Sequence, residues 1–157
     1  MGPHAARALR AWLAVLLCIA VIWTLSGEAF SGRETQHTVA SLLRWLFGEI
    51  DRQTLRHANY LIRKFGHLLE YGVLAVLAFR ALRLSIDVSL GRVVAFALAL
   101  VLTVAGADEL RQSMLPTRTG SVADVALNLT GGMLGVALIV AFHRWLGVGW
   151  PASGDRS

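Results

Sequence analysis

A chain of 157 residues with a net charge of +5, 55% hydrophobic and only 16% charged, fits one domain and is too apolar to be disordered. Its mean hydropathy is +0.58 and its pI about 10.6, but the Arg residues are scattered at the ends of apolar runs. There is no Lys/Arg tract and no aromatic platform between the cations, which argues against nucleic acid and for an anionic bilayer. The one cysteine, Cys18, lies in an apolar run; it can form no internal disulfide and implies neither a metal site nor a catalytic thiol.

The first apolar run, "LRAWLAVLLCIAVIWTL", is interrupted by Arg10. Arg7 and Arg10 ahead of it would suit a signal peptide, but "SGEAFSG" is a poor cleavage site, and a retained span over 9–27 is expected. Next, Val39, Leu42, Leu43, Leu46, Phe47 and Ile50 fall at helical spacing on one stripe flanked by Arg44 and Trp45. This predicts an amphipathic helix over 36–50, lying on the membrane surface or capping the bundle; packing on a soluble partner is the alternative.

The second span is expected over 63–84, with His67 and Glu70 near its start and Arg80 and Arg83 near its end. The latter two are expected to snorkel to headgroups. The run from Val93 to Ala107 is too short for a hydrocarbon core of about 30 Å, which needs about 20 residues. Extending the span to 92–115, just before the helix-stopping Pro116, makes it long enough. The fourth span is expected over 121–143. Together these predict an all-α protein, a four-helix transmembrane bundle in a single domain over 1–157. Lys and Arg are nearly balanced between the two sides, and the Arg-rich short loop after the second span tilts the expectation to cytoplasmic termini.

With four alternating helices, the start of span two, the end of span three and the start of span four share one side of the membrane. At about 1.5 Å per residue, Asp108 lies about 12 Å from Pro116, Asn128 about 10 Å from Ser121 and Glu70 about 9 Å from Lys64. These groups form one layer. Lys64, His67 and Tyr71 share a stripe with Glu70 close by; Asp108 and Glu109 share one with Gln112; Asp124 and Asn128 share a third, leading into Gly131, Gly132 and Gly135. Charged side chains at membrane depth are expected to face the bundle interior and find partners, and Gly131-x-x-x-Gly135 would let another helix approach closely. Simpler readings stay open: Asp124 as a helix cap three residues after Ser121, Asp108 and Glu109 as a wet helix end, and His67 as a packing residue.

"RKFGHLLEYGVLAVL" and "DELRQSMLPTRTGSVADVALNLTGGMLG" resemble the VanZ-like family of small bacterial membrane proteins. The pattern is Lys-x-x-His-x-x-Glu-Tyr, then Asp-Glu-x-x-Gln, an Arg in a short loop, Asp-x-x-x-Asn and a run of glycines. Thr117 stands where the family commonly has Gly. The resemblance implies a multi-span protein of the bacterial cytoplasmic membrane related to one associated with teicoplanin resistance. It carries over the signature positions Lys64, His67, Glu70, Tyr71, Asp108, Glu109, Gln112, Arg118, Asp124 and Asn128, but it supplies no reaction.

The expectation is therefore a non-enzymatic cell-envelope protein without a cofactor or metal. It would bind the headgroup of a membrane lipid or lipid-linked precursor in a polar pocket, with Lys64 and Arg118 holding the anion. The alternative is a membrane-embedded enzyme acting on a lipid headgroup. There His67 or Glu70 would be the base and Asp108 or Glu109 the acid, or His67, Glu70, Asp108 and Asp124 would hold a divalent metal. A carrier, or a layer that merely locks the bundle, are further readings.

Overall fold

The computed structural model describes residues 2–27, 32–115 and 120–147, with the backbone alone over 32–39. It is all-helical, with no strand among the described residues: α1 (Pro3–Leu25), α2 (Gly32–Phe47), α3 (Arg52–Ser85), α4 (Leu90–Ser113) and α5 (Val122–Trp145). All but α2 are long and apolar enough to cross a membrane. They form the expected four-helix transmembrane bundle. Large apolar side chains such as Leu13, Leu16, Leu17, Val73 and Leu138 point outward, a surface that suits lipid and not water.

α3 is the hub, packing against each of the other four helices. It begins well before the expected span. Asp51 caps it by accepting from the Gln53 and Thr54 amides at 2.8 and 2.9 Å and from the Thr54 hydroxyl. Those bonds, the Thr54 hydroxyl's first, hold the exposed Asp51 carboxyl below its ordinary range, so the cap is present at neutral pH and is lost as the pH falls through that lowered value. At 34 residues, α3 is about 51 Å long, more than a core of about 30 Å requires. Its first turns therefore project beyond the apolar layer.

α2 occupies the loop expected to hold an amphipathic helix, but it is displaced towards the N-terminus. Gly48 takes a positive φ of 79° and ends it, a left-handed cap that glycine adopts without a Cβ penalty, so Ile50 falls outside the helix. The helix leans on α3 yet leaves Leu42, Trp45, Leu46 and Phe47 exposed.

The closest crossing is between α3 and α5. A Cβ on Gly131 would run into the Leu68 carbonyl, and one on Gly135 into the Gly72 carbonyl. A Cβ on Gly72 would stand 3.2 Å from the Gly131 carbonyl oxygen, and one on Gly132 would press on Val101 of α4. The glycines thus have a defined partner, the backbone of α3. α1 joins through Ala11, Val15 and Ile22, all buried, and through Trp12, whose Nε1 donates to Ser85 Oγ at 2.9 Å.

Gly135→Val should lower unfolding stability in detergent by about 1–3 kcal/mol, because α3 must move aside. Gly106→Ala, where an added Cβ meets nothing within 4 Å, should be neutral or stabilise by up to about 1 kcal/mol. Thermal unfolding of the two variants side by side checks both; equal losses would contradict the crossing.

Candidate functional site

The polar residues divide into those with partners inside the bundle and those without. Asp108 is fully buried. Its Oδ1 accepts from Ser26 Oγ at 2.6 Å and from Arg111 Nη2 at 3.0 Å, and its Oδ2 from Gln112 Nε2 at 2.7 Å. Arg111 Nη2 also donates to Ser26 Oγ and to the Trp23 carbonyl. A carboxylate taken out of water needs such donors, since an uncompensated buried charge is among the costliest groups in a protein.

Ser26 and the Trp23 carbonyl were not among the residues picked from sequence. Ser26 belongs to "SGEAFSG", which reads as a poor cleavage site; a small hydroxyl ending an apolar helix was the available signal. Arg111, three residues from Asp108, completes the network.

Glu109 is turned towards α5. Its Oε2 accepts from the Ser121 amide at 2.8 Å, placing a carboxylate at that helix's N-terminus, where the backbone dipole favours negative charge. The Ser121 side chain makes no capping bond. Asp124 instead forms an ion pair with Lys64 of α3, so the capping-box reading gives way to a tie between helices. The Lys64 ammonium also stands 5.3 Å from the Tyr60 ring centroid, a favourable cation–π placement.

A second set has no such partners. Tyr71 is fully buried and Asn128 is 1% exposed, yet among the described residues neither the Tyr71 hydroxyl nor either polar atom of the Asn128 amide finds a hydrogen bond. The same holds for His67 Nδ1, which is 3.8 Å from Glu70 Oε2, beyond hydrogen-bond reach. The three stripes share one neighbourhood: the Lys64–Asp124 pair joins α3 to α5, and Glu109 on the Ser121 amide joins α4 to α5. Among the described residues, no three His, Cys, Asp or Glu side chains are grouped so as to hold a metal ion. Arg118 lies outside the described residues.

Asp108→Ala strands the donors of Ser26, Gln112 and Arg111. It should cost about 3 kcal/mol, the low end for a broken buried pair, because the Arg111 side chain is 35% exposed. Ser26→Ala should cost about 1 kcal/mol. Chemical unfolding in micelles checks the ranking; an Asp108→Ala protein as stable as the parent would refute the network's role.

A family model described as VanZ/LLP1 matches residues 11–143, a stretch that covers α3 and α4, most of α1 and α5, and every polar residue of this site. Neither the curated proteins nor the solved structures gave a match. With four such helices and a family match over most of its length, the chain is a multi-pass membrane protein and belongs to the VanZ/LLP1 family.

Proposed function

We propose that the polar layer between α3, α4 and α5 binds a phosphate-bearing headgroup, of a bilayer lipid or a lipid-linked cell-envelope precursor, without turning it over. The observation that carries this reading is the buried Tyr71 hydroxyl and Asn128 amide without partners. An unpaired amide or hydroxyl in an apolar setting costs about 1–3 kcal/mol, a cost that a ligand supplying the missing bonds would remove. Lys64 has three ammonium donors and commits one to Asp124, so it retains donors for an anion; Arg118 would complete the clamp. His67 and Glu70 would meet the sugar or amine groups of the same ligand.

The acid–base alternative has less support. Both oxygens of Asp108 are taken up, and Glu109 holds the Ser121 amide. The protein would lie in the bacterial cytoplasmic membrane with both termini in the cytoplasm, the side that Arg80, Arg83 and Arg92, flanking the α3–α4 turn, favour. An effect on glycopeptide (teicoplanin) susceptibility would follow from capture of an envelope precursor, in keeping with the family.

Asn128→Leu and Tyr71→Phe separate binding from folding, because neither group has an internal partner to lose. Both variants should unfold within about 1 kcal/mol of the parent or later, and should bind about tenfold more weakly. Native mass spectrometry with polyprenyl phosphate and phosphatidylglycerol as probes reads the binding and tells the two sources apart. A parallel fall in stability and binding would reduce the layer to structural glue, and unchanged binding would end the reading.

A further inference from the structure

At the other end of the bundle, where α1 begins and α3 and α5 end, two cavities adjoin. One, of about 180 Å³, is lined by Arg7, Arg10 and Arg80 over Ala11, Ala14 and Leu77. The other, of about 310 Å³, shares Arg7 and Arg80, adds Arg83 and His143, and has walls that include Phe79 and Ile139. Neither is lined by a carboxylate. Among the described residues no Asp or Glu forms an ion pair with Arg7, Arg10 or Arg80.

Arg83 and His143 have a local reason to be there. They sit in the last turns of α3 and α5, where the helix dipole favours cations. Arg7 and Arg10 have no such reason. They lie one and two turns into α1, which has no acidic residue in its first turn to pair with them. The fold nevertheless brings them beside Arg80. Like charges gathered without a counter-charge among the described residues call for an anion from outside. A basic pocket between membrane helices is the arrangement that takes phospholipid headgroups, and the apolar walls below it suit acyl chains and not a free ion. Two cavities, each with its own cations around a shared pair, match two phosphates on one molecule.

We propose that this end of the bundle holds one anionic phospholipid carrying two phosphates, bridged by Arg7 and Arg80 between α1, α3 and α5. The site is separate from the polar layer and does not depend on the function proposed for it.

Native mass spectrometry of the full chain tests this, with diphosphatidylglycerol, phosphatidylglycerol and phosphatidylcholine as probes. One diphosphatidylglycerol should be retained, phosphatidylglycerol should bind more weakly, and phosphatidylcholine should not compete. The double variant Arg7→Gln, Arg80→Gln should weaken diphosphatidylglycerol binding about thirtyfold, the worth of two basic residues at a membrane surface. Arg44→Gln with Arg52→Gln, the same loss of charge elsewhere in the fold, should leave it unchanged. Should the double variant lose its helical circular dichroism, Ile139→Trp, which fills the larger cavity and keeps every Arg, should weaken binding in its place. Equal binding of phosphatidylcholine or phosphatidylglycerol to the chain carrying Asn128→Leu, whose polar layer is weakened, would overturn the proposal. So would unchanged binding in the variant that folds, or an equal loss in the control pair.

Discussion

The crossing of α3 on α5 is the constraint on which the rest of the structure depends. Hydrocarbon gives helices no hydrophobic reason to associate, so contact between them rests on packing and on polar groups that have nowhere else to go. Gly72 on one helix and Gly131 and Gly135 on the other remove the side chains that would hold the backbones apart. That approach brings Lys64 to Asp124. It also seals the Tyr71 and Asn128 side chains inside the bundle.

Within the sealed layer, the polar groups serve two ends. Asp108, Gln112, Arg111 and Ser26 are bonded to one another, and Glu109 to the start of α5. These groups fasten α1 and α5 to α4, and their chemistry is spent on holding the bundle. Tyr71, Asn128 and His67 Nδ1 are buried without such bonds. A fold that bonds one half of a polar layer and leaves the other half unbonded carries a standing free-energy cost. Binding a ligand is the use that would offset it.

The architecture was legible because its signals are local. Four apolar runs, the third reaching spanning length only with the polar stretch before Pro116, three polar stripes at helical spacing and a Gly-x-x-x-Gly are all written along the chain, and the two blocks around His67 and Asp108–Asn128 pointed to the family. The pairings were not legible, because they depend on how helices cross. Asp124 three residues after Ser121 reads as a cap, and only the tertiary approach of α3 gives it Lys64 instead. Ser26 looked like the tail of an apolar run, yet it is a ligand of the Asp108 carboxylate. The apolar period of α2 continues to Ile50, but the positive φ at Gly48 stops the helix first. The start of α3 was missed because its opening turns are polar and the signal lay in one capping residue, Asp51.

The bonded and unbonded halves of the layer make one central claim, that Tyr71 and Asn128 are buried for a ligand and not for the fold. The most direct test is a density map of the full chain purified with its native lipids. The account predicts headgroup density between α3, α4 and α5 within hydrogen-bonding distance of the Tyr71 hydroxyl and the Asn128 amide. A well-ordered bundle with those side chains bonded to each other or to protein, and no density between the helices, would contradict it.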